Sequence, residues 1–134
     1  MTKARLLLDT HYVLEAVGEI RKLKDDMPVL EMACETGDVL VSVVSLWECY
    51  IKWRLGKLPL VNGVKLWPEI LDKHGIEVID LTPRHIVEDI GPPPRTRDPF
   101  DRLLLSTAVA ENAQLVTRDQ DLQFHPTSWT PFVY

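Results

Sequence analysis

The residues of this chain that could do chemistry are mostly acids. Asp98 and Asp101 stand three apart in Arg97-Asp98-Pro99-Phe100-Asp101-Arg102, and Asp119 ends the apolar segment Leu115-Val116-Thr117-Arg118-Asp119, with Asp121 just beyond. Asp9 closes the run Leu6-Leu7-Leu8. Glu48 lies inside the nearly continuous apolar stretch from Val43 to Leu55, where a merely solubilising charge would be expected on the polar face. Oxygen-only donors without His or Cys select a hard divalent cation, Mg²⁺ with Mn²⁺ as its substitute. One or two such ions generate hydroxide from bound water and stabilise a leaving oxygen, which is the chemistry of phosphodiester hydrolysis.

Each acid also has an ordinary structural explanation. Asp9 can cap a helix, with Thr10 sharing the task, and Asp98 before Pro99 pairs a cap with proline at the first helical position. Asp101 then falls at the third helical position, where a carboxylate favours the positive end of the helix dipole. Glu48 and Lys52 are spaced for a surface salt bridge. Convergence is what these explanations leave out, because each like-charged neighbour raises the cost of ionising the next. A bound cation removes that cost.

The elements that must position these acids can be read from periodicity. Residues 5–9 form a buried strand passing into a helix that starts near Thr10, and Asp38-Val39-Leu40-Val41-Ser42 is a second buried strand. Between them, Ile20, Leu23, Met27, Leu30, Ala33 and Cys34 mark an amphipathic helical region that Pro28 starts afresh and Gly37 ends. A helix over 43–55 closes at Gly56, and another over 64–73 turns Trp67 and Leu71 inward. Residues 75–81 alternate more, as an edge strand does, and Thr82-Pro83 starts a helix toward Ile90 on which His85 is exposed. The segment 91–97 is a stiff connector with three prolines. A helix over 103–112 leads to the strand Leu115-Val116-Thr117, and 130–134 form a last strand. Strands alternating with helices imply α/β architecture, a parallel sheet with helices on both faces, and ligands at the strands' carboxyl ends.

The 134 residues suit one domain over 1–134, and no apolar run is long enough to span a bilayer. Lys3 and Arg5 lead straight into a strand without a signal-type cleavage site, so the expected location is cytoplasmic. Cys34 and Cys49 lack partners at ligand spacing and are expected to be buried, reduced thiols. The net charge of -5 argues against a broad basic face that coats nucleic acid, but not against meeting phosphate through metal.

Several blocks in order resemble one known family: Leu6-Leu7-Leu8-Asp9-Thr10-His11, residues 41–48, Arg54-Leu55-Gly56-Lys57-Leu58, residues 97–104, and Val116-Thr117-Arg118-Asp119. Along almost its whole length the chain resembles PIN-domain ribonucleases of the VapC toxin type. That resemblance implies a three-layer α/β/α sandwich with a central parallel sheet of four to five strands. It implies Asp9, Glu48, Asp101 and Asp119 as metal-binding acids, Asp98 and Asp121 as accessory ones, and Thr10, Ser42 and Thr117 as hydrogen-bonding support. It further implies a homodimer with Mg²⁺-dependent endoribonuclease activity on RNA, neutralised by a VapB-like antitoxin.

Pro93-Pro94-Arg95-Thr96 departs from relatives that often carry a His there, leaving the acids intact. Arg95, Arg97, Arg102 and Arg118 flank the acids as candidate phosphate contacts, or as their ion-pair partners when metal is absent. Trp47, Tyr50, Ile51, Trp53 and Leu55 are too many large apolar groups for one helix face, so either a partner chain or the chain's own 64–73 helix covers them. Two rival functions remain. A catalytically silent module of the same fold would bind RNA or a protein, and would be favoured by loss of an acid. An aspartyl-phosphate enzyme would use Asp9 as nucleophile, and is disfavoured because position 11 is His rather than Asp.

Overall fold

The computed structural model describes residues 4–18, 27–60 and 63–129. The chain runs β1 (Ala4–Leu8), α1 (Thr10–Ala16), α2 (Met27–Thr36), β2 (Gly37–Ser42) and α3 (Val43–Arg54). It continues through a 3₁₀ turn (Val64–Leu66), α4 (Trp67–Lys73), β3 (Glu77–Ile79), α5 (Pro83–Val87), α6 (Pro99–Ala110) and β4 (Gln114–Val116). These strands form one parallel sheet in the order β3-β2-β1-β4. The expected edge position of the third strand is met.

Side-chain alternation along β1 explains the layers. Leu6 and Leu8 point to one face, against Tyr12 and Val13 of α1, Leu30 and Ala33 of α2, and Trp67 and Leu71 of α4. Leu7 points to the other, against Leu104, Leu105 and Ala108 of α6. A strand buried on both faces has no polar side to alternate with, hence the uninterrupted leucines. Helices on each face of a parallel sheet make the three-layer sandwich.

Gly37 answers a requirement of this sheet. A Cβ there would lie 2.3 Å from the carbonyl oxygen of Ala4, its partner in the β1–β2 register. It is the first residue of β2, so the glycine that ends α2 also opens the strand.

Some sequence expectations are corrected. The fourth helix opens as a 3₁₀ turn at Val64, with Pro68 early in the α-helical part. The helix after Thr82 ends at Val87, short of Ile90, although its capping box forms as expected. Ile20 and Leu23 lie outside the described residues, as does the strand expected over 130–134; the chain leading toward it pairs with β4 through a Leu115–Ser128 bridge. Cys34 is exposed while Cys49 is buried. No described helix is long and apolar enough to cross a membrane.

Candidate active site

The strand order reverses at β1. The chain steps from β1 to β2 to β3 in one direction, and then crosses back to lay β4 on the other side of β1. In such a sheet the crevice beyond the carboxyl ends of β1 and β4 is where ligands bind. Asp9 follows β1 directly, and Thr117 and Asp119 follow β4. The Asp9 N–H donates to the Val116 carbonyl at 3.0 Å, extending the ladder beyond the end of β1.

Asp9 is buried and caps α1 by accepting from the Tyr12 N–H at 3.2 Å. Burial pushes its carboxyl up to about 6 and the charge of Asp119 adds to that, while the Thr117 hydroxyl and the Tyr12 and His11 N–H groups pull it down. Capping and membership of the acidic cluster are therefore roles of one side chain. Thr117 has a second bond, accepting from the Asp119 N–H at 3.0 Å, so one hydroxyl ties Asp9 to Asp119.

Asp98 and Asp101 come from the other side of the crevice. Asp98 caps α6, accepting from the Phe100 N–H at 2.8 Å. Asp101, half-buried in the first turn, is also pushed up to about 6, first by burial and then by the charges of Asp98, Asp119 and Glu48. Thr96 does here what Thr117 does opposite. Its hydroxyl donates to Asp101 Oδ2 at 3.3 Å and accepts from the Asp98 N–H at 3.1 Å. The shared signal is the tripeptide Thr-Arg-Asp, at 96–98 and again at 117–119. Reading that repeat would have found Thr96, which sequence reasoning missed.

Glu48 reaches the rim from α3. It is buried, accepts from the Thr10 hydroxyl at 2.6 Å, and pairs with the Lys52 ammonium at 2.6 Å. The i, i+4 salt bridge thus forms, but on a buried carboxylate, and that hydrogen bond holds the Lys52 ammonium above its usual value. Thr10 also bonds Ser45 at 3.2 Å, a second residue not anticipated from sequence. Ser42 caps α3 through the Val44 N–H, supporting the helix that carries Glu48. Asp121 is exposed and gives its N–H to Asp119 Oδ1 at 2.8 Å.

The four arginines are exposed and divided between the walls. Arg118 donates to His11 Nε2 at 3.3 Å, Arg95 borders a hollow beside Asp121, and Arg97 and Arg102 border another against α5. His85, expected on the surface, is instead 1% exposed. Its Nε2 meets Glu111 at 2.6 Å, where Arg5 and Arg84 also bind, and its Nδ1 accepts from the Thr82 N–H as part of the capping box. Helical periodicity could not reveal a partner at the far end of α6.

The acids feel one another's charge, yet among the described residues no three His, Cys, Asp or Glu side chains stand close enough to grip one ion together. Mg²⁺ does not require such a cage. It keeps several waters and is commonly held by one or two carboxylates together with substrate phosphate. Oxygen donors only, two carboxyls raised by burial and by neighbouring acids, and threonine hydroxyls that fix the acids in place fit a partly hydrated hard cation.

A family model described as PIN domain matches residues 6–125. No curated protein matches the chain. Among solved structures, the fold is similar to one described as VapBC2 from Rickettsia felis bound to a DNA fragment from their promoter. That likeness covers 92% of this chain and 95% of the other, with 20% identity and a TM-score of 0.56.

Proposed function

The chain belongs to the PIN domain family, and from that premise we propose that it is a single-domain, Mg²⁺-dependent endoribonuclease of the VapC toxin type. It would act in the cytoplasm, cut RNA and be inhibited by a VapB-like antitoxin, with residues 1–134 forming one PIN domain. The observation that carries this reading is the gathering of Asp9, Glu48, Asp98, Asp101 and Asp119 at the sheet's switch point, close enough for their charges to couple. Like-charged carboxylates gathered together do not stabilise a fold, and a divalent cation explains them.

Asp9 and Asp101 would hold Mg²⁺ directly or through water, with Glu48 and Asp119 completing the negative field and Asp98 and Asp121 at its edge. When bound, the ion supplies an activated water and neutralises charge on the phosphate. The chain's own residues do the rest. Thr117 and Thr96 hold Asp9 and Asp101 in place, Thr10 orients Glu48, and Lys52 balances its charge. Arg95, Arg97, Arg102 and Arg118 would bind backbone phosphates on either side of the cut.

The exposed aromatic face of α3 supports a partner chain. Trp47 is 56% exposed and Leu55 64%, and Tyr50 and Trp53 lie open beside them. The 64–73 segment therefore leaves these four side chains open, while Ile51 is half-buried. A homodimer or the antitoxin would cover the four.

Purified protein is incubated with a mixed RNA pool in Mg²⁺, in EDTA, and with Asp9→Asn or Asp101→Asn. Discrete cuts that vanish in EDTA and in both variants are expected. A native fold that cuts nothing across RNA and Mn²⁺ conditions, with no antitoxin attached, would instead favour a silent RNA- or protein-binding module.

A further inference from the structure

Between residues 92–95 and the turn after β4 lies a hollow of about 290 Å³, bordered by Pro92, Pro93, Pro94, Arg95, Asp121 and Phe124. Both walls run into the acidic rim. Arg95 precedes Thr96, which bonds Asp101, and the Asp121 N–H binds Asp119. His125 joins the walls. Its Nδ1 accepts from the Thr127 N–H at 3.1 Å, which leaves Nε2 to carry the proton and donate to the Pro92 carbonyl at 2.7 Å.

Phe124 stands at the lip of this hollow with 85% of its surface exposed, more than any other large apolar side chain described. The arrangement holds an open aromatic ring, a guanidinium and a proline-stiffened wall beside the acids. Aromatic faces stack bases of single-stranded nucleic acid, and cations beside them follow the backbone. A proline wall keeps its shape without a helix or strand behind it.

We infer that this hollow is a subsite for one unpaired nucleobase of single-stranded RNA, stacked on Phe124 with Arg95 on the adjoining phosphate, next to the bond to be cut. The inference rests on the ribonuclease reading of the rim. A base inside a duplex is already stacked on its neighbours and cannot be delivered to the ring, so the subsite selects unpaired segments. Every base has a face to stack, so it tolerates sequence.

The test measures binding of a short labelled single-stranded oligoribonucleotide, and of its duplex with the complementary strand, by anisotropy. Asp101→Asn serves as the background that prevents cutting. Phe124→Ala should raise the single-strand Kd about tenfold, the loss expected for one stacked base. Phe124→Trp should keep the native value, and duplex binding should not move. Phe124 is exposed, so the fold is not at stake, and circular dichroism checks it.

An unchanged single-strand Kd in Phe124→Ala overturns the subsite, as does an equal loss for duplex. A loss confined to capture of a protein partner overturns it in favour of a protein contact. If the native chain cuts RNA and Phe124→Ala matches it in both Kd and kcat/KM, the subsite fails and the ribonuclease reading stands. If it cuts nothing yet Phe124→Ala weakens single-strand binding, the ribonuclease reading fails and with it the place beside a cut bond, and the hollow stands as a base-binding site alone. If it neither cuts nor binds, both fail.

Discussion

Asp9 shows how one side chain can serve the fold and work against it. As a cap it satisfies an N–H of α1, yet its charge is buried beside another acid. The folded carboxyl sits near 6 while a free aspartate titrates near 3.8, so between those values the native state holds a proton that the unfolded chain has lost. Native stability from this group therefore falls as pH rises through 6, and the full cost is present at neutral pH. Converted at 1.36 kcal/mol per pH unit, that cost is roughly 3 kcal/mol at most. Asp9→Asn keeps an oxygen for the Tyr12 N–H and removes the charge. It should raise Tm at pH 7.5, lose that advantage near pH 4, and abolish cleavage, as melting curves across pH and the RNA assay would show. Mg²⁺ should raise the native Tm and leave that of Asp9→Asn nearly unchanged; equal shifts would remove Asp9 from the metal site.

Two elements carry sharp requirements of their own. β2 can lie against β1 only because Gly37 has no side chain where the Ala4 carbonyl passes. Gly37→Ala forces the strands apart at their start and should destabilise by about 1–3 kcal/mol, the usual cost of overpacking, read as a lowered urea midpoint. Beyond the edge strand β3, α5 spans only Pro83–Val87 and depends on its cap. Thr82→Ala removes the hydroxyl that accepts from the His85 N–H and should cost about 1 kcal/mol in the same measurement. Neither position touches the acids, so both variants should retain cleavage at temperatures below their melting points.

For the molecule as a whole, the switch point and the α3 face set what it can meet. The acids open beyond β1 and β4, while Trp47, Tyr50, Trp53 and Leu55 present apolar surface on α3. Trp47 also packs edge-on against Phe100 in the first turn of α6, so this face borders the acidic rim. Light scattering should find a dimer, and Leu55→Asp should shift it toward monomer with an unchanged circular dichroism spectrum. A dimer that survives Leu55→Asp would assign this face to the antitoxin, which a pull-down with the co-expressed partner would then register.

Local patterns were enough to determine the alternation of strands and helices, the edge place of β3, the caps at Asp98 and Thr82, and the inward turn of Trp67 and Leu71, because each depends on residues within a turn or two of one another. The acids too were visible as residue types at strand ends. Only the tertiary structure decided what lies between them. It tied Asp9 to Asp119 through Thr117, set Glu48 against Thr10, and buried His85 against Glu111. It also left the face of α3 open. These features are set by how the chain crosses back over β1 and how the helices pack, which bring together residues far apart in sequence, and no local periodicity encodes such a meeting.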